Sequence, residues 1–119
     1  KAIVGAMNRA QQAYYLENGK FSTEFNSLEL GLSLNTEHYA YKIVPQSSNS
    51  VMNISRAKNR GLSSYVGFVY LTKTSSGETV TLAKLCETDS NLSRPPRMPR
   101  IPRNSSQAIK CPRGFIDLK

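Results

Sequence analysis

At 119 residues with 39% hydrophobic content and a mean hydropathy of −0.43, the chain has the size and composition of one globular domain with an ordinary core. No stretch approaches the roughly 20 apolar residues of a membrane-spanning helix, and no signal-peptide pattern is present. The net charge of +8 is unevenly spread: residues 1–60 carry seven Lys/Arg against four acids, residues 61–119 carry nine against four, and Arg94 to Arg113 holds six basic residues and no acid. A polyanionic partner is to be sought in that segment.

Residues 1–18, KAIVGAMNRAQQAYYLEN, read as an amphipathic helix. Ile3, Met7, Ala10 and Tyr14 share one stripe, with Lys1, Asn8, Arg9 and Gln12 well away from it. Asn18-Gly19 supplies the left-handed stop. No capping residue precedes the first turn and no initiator Met opens the chain. The helix is therefore expected to continue upstream of Lys1.

Residues 19–38 read as a connection lying over the core. Ser22 or Thr23 caps a short turn that exposes Glu24 and Asn26, directs Phe25, Leu28 and Leu30 inward and ends at Gly31. From Tyr39 the period changes to two: Tyr39, Tyr41 and Ile43 alternate with Ala40, Lys42 and Val44 until Pro45 and the polar run Gln46 to Ser50 break the pattern. Val51 to Arg56 alternates again, with Met52 and Ile54 as the buried pair. Tyr65 to Thr72 is the strongest strand, rich in β-branched and aromatic residues. Ser75-Ser76-Gly77 marks a turn, and Thr79 to Cys86 is the matching strand. The fold class is α+β: one long N-terminal helix packed on a roughly four-stranded antiparallel sheet (residues 39–86), with a meander as the expected topology.

The last third, residues 87–119, contains five of the six prolines and reads as extended and irregular. Cys86 and Cys111 allow one disulfide, with two free thiols as the alternative; neither lies in a CxxC pair. A bridge implies folding outside a reducing cytoplasm. Closing a loop of that size stabilises the chain by roughly 3 kcal/mol in the chain-entropy account. Without the bridge, the segment is expected to have too little apolar surface to order itself.

Several words of the sequence are distinctive: Asn8-Arg9-Ala10-Gln11-Gln12-Ala13-Tyr14-Tyr15, Leu30-Gly31-Leu32, Tyr39-Ala40-Tyr41, Tyr65-Val66-Gly67, Leu85-Cys86-Glu87 and Cys111-Pro112-Arg113-Gly114-Phe115. On these words the chain resembles the soluble domain of a cyanobacterial type IV pilin of the G/H-like group. The resemblance covers residues 1–87 and 110–116; the arginine and proline segment between 94 and 103 is its main departure. It implies a single pilin domain whose helix begins with an apolar half upstream of Lys1, together with a leader peptide, its processing site and methylation there. It implies a disulfide-bounded, surface-exposed C-terminal loop. It also implies a structural subunit, major or minor, that partners with other pilins and with inner-membrane assembly machinery. Such a subunit passes from the inner membrane to a fibre on the cell surface that serves motility, adhesion or DNA uptake in natural competence. A type II secretion pseudopilin shares this architecture and is the other member of the same class.

The sharpest local feature is RPPRMPRIPR, residues 94–103. Arginine recurs every third residue, and polyproline II has three residues per turn, so Arg94, Arg97, Arg100 and Arg103 would form one ridge at about 9 Å spacing. With Arg113, this is a candidate site for DNA or an anionic polysaccharide; a solvated basic loop or a strut against a neighbouring subunit is the plainer reading. Arg56, Lys58 and Arg60 read as a solvated strand edge. His38 reads as a loop residue, and Tyr14, Tyr15, Tyr39, Tyr41, Tyr65 and Tyr70 as core and strand residues. Asn53, Asn91 and Asn104 match the N-x-S glycosylation pattern, as chance allows in a chain this rich in Asn and Ser. Glu87, Asp89 and Asp117 are too few to predict a calcium site. With no paired carboxylates, Gly-rich phosphate loop or nucleophile elbow, neither enzyme activity nor a cofactor is expected.

Overall fold

The computed structural model describes residues 2–31, 35–92 and 96–118. Helix α1 spans Ala2–Asn18 and is followed by a 3-10 turn, Phe25–Leu28. Five strands follow: β1 Tyr39–Ser47, β2 Ser50–Ala57, β3 Ser64–Lys73, β4 Thr79–Thr88 and β5 Ile116–Leu118. They form one antiparallel sheet in the order β1-β2-β3-β4-β5, the meander expected from the sequence.

The sheet thus has five strands where four were expected. Strand β5 pairs Leu85 with Leu118, Cys86 with Asp117 and Glu87 with Ile116. Three residues are too few to carry a period-two signal. Strand β1 continues through Pro45, which was expected to end it, and the register shifts between Pro45 and Ser47. Proline is tolerated there because β1 is an edge strand and the position adjoins a bulge.

The stop of α1 is as expected. Gly19 has φ 72°, its N–H donates to Tyr15 O at 2.8 Å, and Asn18 Nδ2 donates to Tyr14 O at 3.0 Å. Phe25 and Leu28 are buried as expected. The 3-10 turn, however, ends at Glu29, left-handed at φ 53°, ahead of Gly31.

The buried side of α1 differs from the expected stripe. It comprises Val4, Met7, Asn8 and Gln11, while Ile3, Ala10 and Tyr14 pack at its margin. Asn8, placed away from the core by apolar periodicity, is buried. A count of apolar positions cannot register a polar residue that finds partners inside, and these do. Asn53 Nδ2 donates to Asn8 Oδ1 at 2.9 Å, and Asn8 Nδ2 donates to Lys84 O at 3.4 Å. The Gln11 amide both donates to Ser22 O (3.0 Å) and accepts from Ser22 N (2.8 Å), fastening the αβ connection to the helix. Gln11 Nε2 also donates to Asn53 Oδ1 at 3.3 Å. Gln12 Nε2 reaches Thr81 O at 3.2 Å. Every polar group in this seam that leaves water is paired, which avoids the 1–3 kcal/mol cost of an orphaned buried donor or acceptor.

Gly67 makes this approach possible. A β-carbon there would lie 2.1 Å from Asn8 Oδ1 and 2.6 Å from its Cγ, so only glycine lets α1 sit this close to β3.

The sheet is covered on both faces. On the α1 side, Tyr41, Ile43, Val51 and Val69 join Val4, Met7, Phe21, Phe25 and Leu28; Phe25 stacks on Tyr41 with ring centroids 5.7 Å apart. On the other side, Met52, Ile54, Val66, Phe68, Tyr70 and Cys86 are capped by Leu92 and Ile109, with Met98, Ile101, Cys111 and Phe115 partly buried against them. The C-terminal segment is therefore a second covering layer. It holds more apolar surface than its proline-rich sequence suggests, because the apolar residues are spaced singly between prolines and arginines. Strand β2 consequently buries both Val51 and Asn53 on one face and Met52 and Ile54 on the other.

Candidate functional site

The covering segment carries the residues that the sequence marks for binding. Arg97, Arg100 and Arg103 are exposed, while Met98, Ile101 and Pro102 between them are half-buried. Met98 and Ile101 pack onto the sheet. A three-residue repeat thus turns apolar side chains inward and leaves arginines outward, as a ridge requires. Arg94 lies outside the described residues. Arg113 is exposed on the turn that ends at Phe115, which is held by Thr88 Oγ1 donating to Gly114 O at 2.9 Å.

Three kinds of attachment hold this segment. The Cys86–Cys111 disulfide has formed, with Cα atoms 5.8 Å apart and a sequence separation of 25, which settles the choice left open between a bridge and free thiols. Thr72 Oγ1 donates to Pro102 O at 3.1 Å. Asn104 bridges Lys73 in parallel, and Ser105 N donates to Lys73 O at 2.8 Å. Strand β2 stops opposite Tyr70, so the last residues of β3 lack a partner on that side and the segment supplies one. Arg100, Ile101, Pro102 and Arg103 line an open cleft of about 530 Å³ with Gln107 and Ala108.

Asp117 on β5 locks the end of the segment. Its carboxylate pairs with Lys84 Nζ at 3.1 Å and accepts from Cys111 N at 3.2 Å. The Lys84 hydrogen bond first, and then the Cys111 N–H and the Lys84 and Lys110 charges, hold this carboxyl below its ordinary 3.8. A depressed carboxyl stabilises the fold above its unfolded value and loses that contribution as pH falls through the folded one. Protection of the Ile116–Leu118 amides, measured relative to their intrinsic exchange rates, is therefore expected to fall below about pH 4, and Asp117→Asn is expected to abolish that acid-dependent change. Persistence of the same acid step in the variant would remove Asp117 as its cause.

The remaining sequence candidates fall out differently. Arg56, Lys58 and Arg60 line a cleft of about 330 Å³ at the β2–β3 connection, with Asp89 and Asn91; Lys58 Nζ donates to Thr36 O at 2.7 Å. His38 Nδ1 lies 2.8 Å from Asn59 Nδ2 in an exposed loop. Asn53 is fully buried and hydrogen-bonded, so it is no glycan acceptor in the folded domain. Cys111 and Asp117 come close to Cys86, but both sulfurs are spent in the bridge. Glu87 Oε2 accepts from the Tyr65 hydroxyl at 3.2 Å.

Sequence reasoning missed Asn8, Gln11, Gln12, Asn53 and Gly67, the set that seats the helix. One signal was available: an isolated glycine inside a strong strand pattern marks close backbone approach. On its opposite side, α1 presents Ala2, Arg9, Ala13 and Leu16 as exposed residues, with Leu16 82% exposed. Among the described residues no helix is long and apolar enough to cross a membrane.

An α1 helix seated on an antiparallel meander, with a disulfide-closed C-terminal segment, agrees with what comparison with known proteins shows. The family model for type IV pilin-like G and H proteins matches residues 1–112. No curated protein and no solved structure matches the chain significantly. The chain belongs to the type IV pilin-like G and H family, and its role is that of a pilin-like structural protein.

Proposed function

We propose that this domain is the head of a subunit of a type IV pilus, major or minor, carried on a helix that continues upstream of Lys1 as an apolar half. The observation that carries this reading is α1 itself. It is seated on the sheet by one side only, while the other side, with Ala2, Ala13, Leu16 and a single charge at Arg9, is left exposed. A long apolar helix is unfavourable in water and finds two acceptable surroundings, lipid or other such helices. Inner-membrane machinery moves it from the first to the second, and the head is displayed on the fibre. Motility, adhesion and DNA uptake are then properties of the whole fibre. The words shared with cyanobacterial pilins support a cyanobacterial member, and family membership supports a structural subunit over an enzyme. A processed, methylated N-terminus upstream belongs to the same reading.

The test is expression of the full gene product with an epitope in the exposed β1–β2 turn at Ser48-Asn49. Labelled surface filaments that vanish when the upstream helix is made polar are the expected result. A subunit that stays in the cell envelope and forms no long fibre would favour the pseudopilin reading instead.

A second reading is favoured by the exposed arginines. In it the subunit is a minor pilin that binds a polyanion through Arg97, Arg100, Arg103 and Arg113, with Arg94 in the same sequence repeat. Its support is the inward packing of Met98 and Ile101, which leaves Arg97, Arg100 and Arg103 exposed on a pinned backbone and lowers the entropy lost on binding.

A further inference from the structure

We infer that the side of the domain opposite α1 is a binding platform for the phosphate backbone of duplex DNA, formed by Lys42 and Arg56 of the sheet together with Arg97, Arg100 and Arg103 of the covering segment. The inference rests on the polyanion reading above and extends it to Arg56, which the sequence places on a solvated strand edge, and to Lys42 of the first strand.

Strand parity supplies the first argument. Tyr41 and Ile43 face α1, so Lys42 between them faces the other way, and Arg56 shares its side with Met52 and Ile54. Both cations are exposed. They line one cleft of about 350 Å³ together with Ile54 and Leu92, and Leu92 is where the covering segment leaves the sheet. Arg56 also lines the neighbouring cleft with Lys58 and Arg60. None of Lys42, Arg56, Arg97, Arg100 or Arg103 makes an ion pair among the described residues.

The course of the segment supplies the second. It starts beside Ile54, which is paired with Val66, and its Pro102 carbonyl is held by Thr72. Val66 to Thr72 covers about 20 Å of strand, and Lys42, paired with Ile54, lies level with Val66 at the end of that span away from the Pro102 anchor, with Arg56 two residues beyond Ile54. That length corresponds to about six base pairs at 3.4 Å each.

Of the eight acids, only Asp89 and Asp117 lie on this side, and both sit beside cations. Glu17 is on α1, Glu24 and Glu29 flank the 3-10 turn, and Glu37 and Glu78 lie in connections outside the strands. Glu87 accepts from Tyr65 on the α1 side. Asp117 is neutralised by Lys84, and Asp89 sits in the cleft among three cations. Duplex is favoured over single strands because Tyr70 is buried in the core of this face and Phe115 is partly buried against it. No exposed ring is left among the described residues there to stack on a base. Contacts of this kind read the backbone and carry no sequence preference.

The experiment measures binding of the chain to a short DNA duplex as a function of salt. Neutralising up to five phosphates predicts a slope of log K against log salt of about −4, and an affinity loss above about 10²-fold between 50 and 200 mM salt. The double variant Lys42→Ala with Arg56→Ala is expected to reduce the slope by about 2, and Arg56→Lys to leave it unchanged. If the double variant keeps the wild-type slope while Arg97→Ala, Arg100→Ala and Arg103→Ala together flatten it, the platform is overturned and the arginine segment alone stands. Absence of duplex binding, or binding indifferent to salt, overturns both. Binding to heparin without binding to duplex overturns DNA as the ligand and assigns the face to an anionic polysaccharide. All five side chains are exposed, so the variants are expected to retain the wild-type circular dichroism spectrum.

Discussion

Gly67→Ala is expected to destabilise the domain by about 3 kcal/mol, more than replacement of any exposed residue. The added β-carbon would sit 2.1 Å from Asn8 Oδ1, far inside van der Waals contact. Asn8 cannot swing aside freely, because Asn53 Nδ2 donates to its oxygen and its own Nδ2 is committed to Lys84 O. Relief therefore requires either moving α1 off β3 or breaking buried hydrogen bonds, each costing on the order of 1–3 kcal/mol. Chemical denaturation of wild type, Gly67→Ala, Asn8→Ala and the double variant measures the coupling. The clash predicts that alanine at position 67 is better tolerated once Asn8 is shortened, with an interaction energy above about 1 kcal/mol. Strictly additive single effects would show that the two residues do not compete for the same space.

Loss of the disulfide is expected to act on the opposite face. Cys86→Ser with Cys111→Ser releases a loop closed over a separation of 25 residues, a cost of about 3 kcal/mol. The bonds after Arg97, Arg100 and Arg103, none followed by proline, then become targets for trypsin, because lifting the segment uncovers Met98 and Ile101 along with Val66 and Phe68 beneath them. Limited digestion is expected to cut the variant in this segment well before the wild type. The pairing of Ser105 with Lys73 and of Thr72 with Pro102 slows that opening without replacing the covalent tie. Equal digestion rates would mean that apolar packing alone orders the segment, against the expectation drawn from its composition.

These two sites mark the limits of what the sequence conveys. The meander was readable because Tyr39–Val44 and Val51–Arg56 alternate, Tyr65–Thr72 is rich in β-branched and aromatic residues, Thr79–Cys86 follows a Ser-Ser-Gly turn, and Gly19 and Gly77 punctuate the chain. The buried side of α1 was not readable in full. Asn8 and Gln11 are polar by type, and their burial is decided by Asn53, more than forty positions away. Strand β5 was equally opaque, since three residues gain strand geometry only from Cys111 and Asp117 being anchored beside β4. For the candidate site, the three-residue arginine repeat was visible in the sequence. Its merger with Lys42 and Arg56 depends on strand parity and on where Leu92 docks, neither of which a charge count contains.

In the proposed fibre α1 is to face the interior and the arginine face to look outward. Single cysteines introduced as Leu16→Cys and Arg100→Cys, probed with a maleimide on intact filaments and on the isolated domain, measure this orientation directly. Both positions are exposed in the isolated domain, so both are expected to react there. In filaments Arg100→Cys is expected to remain reactive while Leu16→Cys is protected. Full labelling of Leu16→Cys on intact filaments, or protection of Arg100→Cys in its place, would contradict the arrangement.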